Sequence, residues 1–271
     1  AKSLFTSMLN KRMQELTQQE NPPFVYGGAQ FGGFARGYES FEVYTGSGDK
    51  EPTGAVKAAI EEIEKVKRFG FTQPELERAK KNMLATYENA YNDRNKTESS
   101  AYVQEYVSNF LEQESIPGIA AEYDIVKQVI PAITLADVNK VADKIKGQQN
   151  IFAYITGPEN GNVTLPAPAD LLNTIAIAEK ADVKPYEEKE VAADLLAKKP
   201  TAGKVTATKT NAALGTTELT LSNGLAVILK PTDFKDDEIL MGASRYGGTS
   251  NYGIADKYNA NYANNVVSAM G

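Results

Sequence analysis

The order of hydrophobic periodicities constrains the fold of this chain more than any other feature. Residues 24–45 show the alternation of strands, interrupted by glycines, and residues 53–145 then place apolar side chains at helical spacing in several separate stretches. A group of strands followed by a group of helices favours an α+β fold over alternating β-α units. We therefore predict an antiparallel sheet with helices packed on one of its faces.

The first 45 residues contain a helix and at least two strands. Apolar residues at helical spacing predict an amphipathic helix that ends near Gln19, before the stop Asn21-Pro22-Pro23. These apolar residues are Leu4, Phe5, Met8, Leu9, Met13 and Leu16. In the strand that follows the glycine-rich stretch, Phe41, Val43 and Thr45 are predicted on one face, and Ser40, Glu42 and Tyr44 on the other.

Five further helical stretches follow. The first, Thr53 to Arg68, is predicted to bury Val56, Ile60, Ile63 and Val66 or Lys67. The pairs Thr72-x-x-Glu75 and Thr134-x-x-Asp137 predict capping boxes that begin two others. The apolar faces of the remaining four helices, in chain order, are predicted to be these: Leu76, Ala79, Met83, Tyr87 and Tyr91; Tyr102, Val103, Tyr106, Val107 and Phe110; Ile119, Tyr123, Val126 and Ile130; and Val138, Val141 and Ile145.

The rest of the chain divides into a closing strand, a linker and the start of another module. Residues 151–156, IFAYIT, predict a buried strand that returns to the first sheet, and Gly157-Pro158 ends it. Five prolines between residues 157 and 215 indicate a linker with one short helix near residues 170–180. From residue 216 the pattern predicts three strands and a helix. We expect a module at 1–160, a linker at 161–215 and a truncated module at 216–271.

Composition excludes several classes of function. The chain of 271 residues has 29 basic and 35 acidic residues, and its net charge of -6 argues against nucleic acid or an anionic membrane as the main partner. No apolar run is long enough to span a bilayer. The chain contains no Cys and no His. A Ser-His or Cys-His nucleophile pair and a His-ligated zinc are therefore impossible from within this chain.

Two groups of residues suggest chemistry but favour a structural role. The glycines of YGGAQFGGFARG could form a phosphate loop, but Gly27, Gly28, Gly32, Gly33 and Gly37 match no phosphate-binding spacing and favour a bulged strand. The acidic residues Glu61, Glu62 and Glu64 could serve acid-base chemistry or hold a cation. Their pattern favours a solvated helix face.

Tyrosines and two arginines offer weaker candidates for a binding surface. Tyr87, Tyr91, Tyr102, Tyr106 and Tyr123 recur among apolar neighbours, which favours core or interface rings over an aromatic binding platform.

Arg36 and Arg245 each lie beside a glycine and an aromatic residue, so either could bind a peptide carboxylate or carbonyl. A surface ion pair is the more ordinary role for both.

Three segments in order resemble the second module of the insulinase (pitrilysin, M16) zinc metallopeptidase family. They are GFTQPELERAKKNMLATYENAYNDRN, FLEQESIPGIAAEYDIVKQVIPAITLADVNKVADKI and NIFAYITGPE. The hairpin LTLSNGLAVIL at residues 219–229 is similar to the "L.NGL.V" that opens the first and third modules of that family. The resemblance implies α/β modules paired into two halves, joined by a linker, that close around an unfolded peptide.

The resemblance also implies where the zinc site lies. The family's HxxEH motif belongs to the first module, which would precede Ala1, and in the third module Tyr262, Asn265 and Val266 stand in its place. None of these can replace the two imidazoles and the carboxylate. We therefore expect no catalytic residue and no metal ligand in this chain, and zinc only in a longer parent protein.

The expected parent is a zinc-dependent endopeptidase of peptides or unfolded segments, to which this chain supplies chamber walls without activity of its own. The resemblance favours the periplasm, and the truncated third module could pair two copies of the chain. One alternative is a non-catalytic partner or structural subunit of the same fold. A second is an unrelated α/β binding domain.

Overall fold

The computed structural model describes residues 1–35, 37–147, 150–158, 164–188, 201–233 and 239–269. The chain divides into two compact units, Ala1–Phe234 and Lys235–Gly271. The helices and strands of the first unit are α1 (Lys2–Thr17), β1 (Tyr26–Ala35), β2 (Tyr38–Gly46), α2 (Pro52–Phe69), α3 (Gln73–Asn92), α4 (Ser99–Glu112), α5 (Ile119–Ala132), α6 (Leu135–Asn139), α7 (Pro168–Glu179), β3 (Val205–Asn211), β4 (Thr216–Leu221) and β5 (Ala226–Leu229). A 3-10 turn, Lys140–Lys144, continues α6. The second unit contains short 3-10 turns and α8 (Lys257–Ala269).

The hydrophobic core lies between α1 and one face of the β1–β2 sheet. The predicted apolar side of α1 is buried, and Phe5 lies with its ring centroid 5.3 Å from that of Phe71 and 6.1 Å from that of Phe31. The Phe5–Phe71 pair meets edge to face, which adds to the free energy gained from burying the rings. Helices α2, α3 and α6 complete the same cluster through Val66, Leu76 and Val138.

Strands β1 and β2 form an antiparallel pair whose two faces have different surroundings. Phe31 lies directly opposite Phe41 and both contact the core, whereas Ser40, Glu42 and Tyr44 lie on the other face. The predicted assignment of faces is therefore correct, because side chains alternate along a strand. The predicted α+β class, an antiparallel sheet with helices on one face, is confirmed.

Both predicted capping boxes are present. The Glu75 amide donates to Thr72 Oγ1 over 3.5 Å, and the Thr72 amide donates to Glu75 Oε2 over 2.8 Å. The Asp137 carboxylate accepts from the Thr134 amide in the same way, at 2.8 Å. Each box satisfies amides that the first turn of a helix leaves without partners.

The predicted solvated face of α2 is wrong for two of its three glutamates. Glu62 and Glu64 are buried, at 3% and 6% exposure, and only Glu61 is half-exposed. Helix α2 is covered from two sides, by α1 and β2 and also by α7, so a wider surface is buried than the predicted apolar stripe. Charge pattern alone could not show this, because the second layer comes from a segment about a hundred residues away.

The predicted tyrosine rings do not share one environment. Tyr91 and Tyr123 are half-buried and stack between α3 and α5 with ring centroids 5.2 Å apart. Tyr102 and Tyr106 on α4 are exposed, and within the described structure no residue of α4 is buried. A core role in this structure is therefore excluded for the two α4 tyrosines.

The predicted closing strand at residues 151–156 is absent. Its residues have no ladder partner among the described strands, and Phe152 and Tyr154 are exposed at 83% and 74%. A β-prone sequence forms a strand only where another strand satisfies its backbone groups, and no described strand does so here.

The region predicted as a linker contains the expected helix and an unexpected strand. Helix α7 is the short helix that was predicted near residues 170–180, and it packs against α2. Strand β3 pairs with β4 at the end of the region. The proposed division at residues 160 and 215 stays a prediction.

The predicted hairpin after residue 216 is confirmed. Strands β4 and β5 pair with Leu219 opposite Val227, and Gly224 adopts the left-handed conformation that such a turn requires. The third predicted strand is wrong for the described residues 239–247, which contain no strand, while residues 236–238 lie outside the described ranges. Helix α8 is present as predicted.

Across the described ranges, no helix combines the length and apolar character needed to cross a membrane.

Candidate functional site

The face of the β1–β2 sheet that points away from α1 presents a row of polar and aromatic side chains. We call it the open sheet face and define it by Tyr26, Gln30, Ser40, Glu42 and Tyr44. The tyrosines are exposed at 61% and 50%, and Gln30 is exposed as well. Since the opposite face is buried against α1, this is the side of the sheet on which an external chain can lie.

Glycines on this face leave room for the tyrosine rings. Gly28 lies opposite Tyr44, and a Cβ atom on Gly28 would come within 2.6 Å of the Tyr44 hydroxyl oxygen. Gly46 lies opposite Tyr26 in the same way, and a Cβ atom there would overlap the Tyr26 ring. The tyrosine rings thus lie across the backbone of the neighbouring strand.

The register shifts between Gly33 and Ala35, as a bulge requires. The glycine-rich stretch is therefore a bulged strand, as predicted. Among the described residues it forms no phosphate-binding loop.

The carboxylate of the open sheet face, Glu42, is held in place by its neighbours. Gln30 Nε2 and Ser40 Oγ each donate to it over 2.9 Å. These hydrogen bonds lower the pKa of Glu42, the bond from Gln30 most, so the group is ionised at neutral pH. It can accept hydrogen bonds from a peptide amide or a cationic side chain, and it is unsuited to act as a general acid.

A second group of polar residues lies inside the molecule, and we call it the buried arginine cluster: Arg12, Glu62 and Glu75. Arg12 Nε and Nη2 donate to the two oxygens of Glu75 over 2.7 and 2.8 Å, and Nη2 also reaches the carbonyl oxygen of Gly70. Arg12 Nη1 lies 3.6 Å from Glu62 Oε1, and neither atom has a hydrogen-bond partner among the described residues. The cluster thereby joins α1, α2 and α3 at one point.

Electrostatic interactions keep the Glu75 carboxylate charged. Burial by itself raises the pKa of Glu75, but the hydrogen bonds from Arg12 and Thr72 and the Arg12 charge outweigh it, and the net pKa lies below its usual range. Glu75 therefore serves two roles, as the capping residue of α3 and as the partner of Arg12. Both roles are structural, and the cluster offers no free group for acid-base chemistry.

The prediction from sequence missed this cluster, although the sequence carries a signal for it. Arg12 interrupts the apolar stripe of α1, four residues after Met8 and three after Leu9. A charge on a buried helix face requires a buried partner of opposite sign. The identity of that partner depends on which helices pack there, and the sequence does not show this.

The other predicted candidates do not come together into one site. Glu64 pairs with Lys67 at 2.5 Å and Arg68 at 3.2 Å, so it is a structural carboxylate. Arg36 lies outside the described residues. In the second unit Arg245 is exposed.

Tyr262, Asn265 and Val266 lie on α8 at spacings that share one face. Tyr262 is 60% exposed, and the side chains of the other two are outside the described set. Within the described ranges, no three Asp or Glu side chains converge as a metal site would require.

Comparison with known proteins finds a curated relative and several solved structures. No family model matches the chain. The relative is a "Zinc protease PQQL-like" from Arabidopsis thaliana, 26% identical over all of this chain and over 25% of its own length. The chain thus spans about a quarter of the relative that it matches.

The fold is similar to that of two proteases of known structure. The crystal structure of the periplasmic protease PqqL from Escherichia coli matches 85% of this chain and 26% of its own, at a TM-score of 0.56 and 20% identity. The ferredoxin protease FusC, solved as a mutant in complex with Arabidopsis ferredoxin, matches 83% of this chain and 25% of its own, at a TM-score of 0.51 and 19% identity. The resemblance predicted from the sequence is confirmed as a similarity: the whole chain resembles about a quarter of a zinc protease, and its fold is similar to part of two proteases of known structure.

Proposed function

We propose that this chain is part of a longer zinc-dependent endopeptidase that cleaves peptides or unfolded segments. The observation that carries the proposal is the similarity of the entire chain to a quarter of a zinc protease. The fold similarity to PqqL adds support, because it covers 85% of this chain and 26% of that protease.

The role proposed for this chain is to supply part of the wall that contacts the substrate, without catalytic residues of its own. The open sheet face supports this role. It leaves Tyr26, Tyr44 and the Glu42 carboxylate accessible, and exposed aromatic rings beside a carboxylate can contact the side chains and amides of an extended peptide.

Zinc does not fit the residues of this chain. The sequence has no His and no Cys, and the described carboxylates do not form a group of three. The proposal therefore assigns zinc to another part of the longer protein, and no step of the reaction is assigned to residues of this chain.

The encoded sequence before Ala1 gives the first test. An HxxEH motif there is expected, and its absence would leave a non-catalytic partner or structural subunit of the same fold as the better proposal. The second test is an assay of the complete encoded protein with an unfolded protein such as reduced casein. Cleavage is expected, with loss of activity in a metal chelator and recovery when zinc is added.

The matched control is the chain of 271 residues alone. We expect it neither to cleave the same substrate nor to retain one equivalent of zinc after dialysis, measured by atomic absorption. One equivalent of zinc in this chain would contradict the proposal that the metal lies elsewhere.

The open sheet face can be tested separately in the complete protein. Replacing Tyr44 and Tyr26 with Ala should raise KM for a long peptide with little change in kcat, because these residues are proposed to contact bound peptide and not the reacting bond. The exposed Tyr154, which lies off the sheet, is the matched control. An equal effect of Tyr154→Ala would remove this assignment.

The compartment proposed for the protein is the periplasm, by analogy with the E. coli structure described as a periplasmic protease. Cell fractionation of the native host tests it. Recovery of the protein with a cytoplasmic marker would contradict it.

A further inference from the structure

Residues 168–188 form a continuous strap across the helical side of the first unit. The strap consists of α7 and the extended residues that follow it, up to Glu188. It lies within the region whose proline content predicts a linker. Its contacts with α1, α2 and α3 show instead a segment that is docked along its whole length.

The first anchor of the strap is apolar. Leu171, Ile175 and Ala178, spaced along one face of α7, are buried, and α7 packs against α2. Val183 is also buried, at 9% exposure. None of the four belongs to the main core cluster.

The second anchor is Arg68, at the end of α2. Its guanidinium donates to the carbonyl oxygens of Glu179 and Ala181, each over 2.6 Å. The Glu179 carbonyl belongs to the last turn of α7, which leaves acceptors without partners, and Ala181 lies just beyond the C-cap residue. Arg68 therefore caps the C-terminus of α7 from another helix.

The third anchor is Tyr186, which covers the buried arginine cluster. Its ring lies 4.2 Å from the guanidinium carbon of Arg12, and Phe71 lies on that guanidinium at 4.8 Å. The Tyr186 hydroxyl donates to Glu15 over 2.8 Å. Burial, followed by the Glu15 carboxylate, raises the pKa of Tyr186, so the hydroxyl keeps its proton. Beyond Tyr186, Arg78 of α3 pairs with Glu188.

The strap buries fewer apolar side chains than the core cluster does. Its buried side chains form a separate group, and its polar contacts lie at or near the surface. Elements of this kind open locally at a lower free energy than the whole domain. The two hydrogen bonds from Arg12 to Glu75, by contrast, involve no atom of Tyr186.

We propose that the strap opens as a separate element while α1, α2 and α3 stay folded. Tyr186 closes the strap over Arg12, and release of the strap uncovers the buried arginine cluster. Tyr186 also lines a groove of about 510 Å³ between α1 and α3, together with Lys11, Gln14 and Asn82. Release of the strap removes one wall of that groove. The device is independent of the peptidase activity proposed above.

Hydrogen exchange followed by mass spectrometry on the chain of 271 residues tests the proposal. In the wild type, amides of α7 should exchange more slowly than those of an unfolded peptide and faster than those of α1. Tyr186→Ala should accelerate exchange in residues 171–184 by at least about tenfold and leave α1 and α3 unchanged, because only local opening becomes easier. Tyr186→Phe, which keeps the ring over Arg12 but loses the bond to Glu15, should give a smaller acceleration.

Two matched controls separate the strap from general destabilisation. Tyr154→Ala removes an exposed tyrosine outside the strap and should change nothing in residues 171–184. Ile175→Ala should act like Tyr186→Ala, whereas Ile177→Ala, at an exposed position of the same helix, should not.

Three outcomes would overturn the proposal. Unprotected exchange of the strap in the wild type would show a free linker. Parallel acceleration of the strap and α1 in Tyr186→Ala would show that the strap is an inseparable part of the core. Unchanged exchange in Tyr186→Ala would show that this residue does not close it.

Discussion

Helices α1 and α4 have similar apolar patterns and opposite environments. In α1 three residues of the apolar stripe, Leu4, Phe5 and Leu9, are at most 1% exposed, and the stripe also encloses a buried arginine. In α4 the equivalent stripe is on the surface, with Val103, Tyr106 and Phe110 exposed at 57%, 59% and 84%.

The difference teaches that periodicity predicts a helix and its apolar side, but not whether that side is covered. Helix α1 is covered by the β1–β2 sheet, α2 and α3. An apolar face of comparable size on α4 has no burial at all within the described residues. Exposed apolar faces of this size commonly mark contact surfaces, and the described part of the structure contains nothing that identifies what would cover this one.

The largest change in the free energy of unfolding should come from the buried arginine cluster, whose Arg12 lies within the apolar face of α1. Glu75→Ala leaves the Arg12 charge buried without its bidentate partner and removes the cap of α3, so we expect the free energy of unfolding to fall by about 3–5 kcal/mol. Urea denaturation measures it. The matched control is Glu77→Ala on the exposed side of α3, for which the change should stay within about 0.5 kcal/mol. Equal effects of the two would contradict the structural role of the cluster.

Two leucines test the comparison of the helices directly. Leu9→Ala on α1 should lower the free energy of unfolding by about 2–5 kcal/mol, because it leaves a cavity in the core. Leu111→Ala on α4, where the side chain is 46% exposed, should lower it by less than about 1 kcal/mol. Similar losses at both sites would mean that α4 is packed in solution.

Acid should weaken the buried arginine cluster before it weakens the apolar contacts. The pKa of Glu75 is lowered in the folded chain, so its contribution to stability is present above the unfolded pKa of about 4.3 and is lost as the pH falls through the folded pKa. The difference in unfolding free energy between the wild type and Glu75→Gln should therefore narrow below about pH 4.3. A difference for Glu75→Gln that stays constant with pH would refute the assignment.

The smallest effect on stability should come from α4. Phe110→Ser should change the free energy of unfolding by no more than about 0.5 kcal/mol, because the ring is already in water. It should, however, reduce the fluorescence of a dye that binds exposed apolar surface, such as ANS. A clear loss of stability would show that the face of α4 is covered in solution.

Local features were predictable from the sequence where the determining residues are neighbours in the chain. The Thr72–Glu75 and Thr134–Asp137 capping boxes, the Asn223-Gly224 turn and the alternation of faces in β2 each depend on residues within four positions of one another. The bulged strand in place of a phosphate loop was predictable for the same reason.

Features that depend on distant contacts were not predictable. The burial of Glu62 follows from the packing of α1 against α2, and the loss of the strand at 151–156 follows from the absence of a pairing strand among the described residues. The candidate site shows both cases. The sequence indicated which residues share a face with Glu42, but not that this face of the sheet is the uncovered one.

By itself, the sequence determined the α+β class, most element positions, the absence of any histidine-based catalysis in this chain and the resemblance to the insulinase/pitrilysin family. Only the tertiary structure decided that Arg12 is a buried hub and that residues 168–188 are docked against three helices. The physical reason is that capping, turns and amphipathic spacing are set by residues close in sequence. Burial of a charge or docking of a strap is set by which surfaces meet, and the Tyr186–Glu15 bond joins residues 171 positions apart.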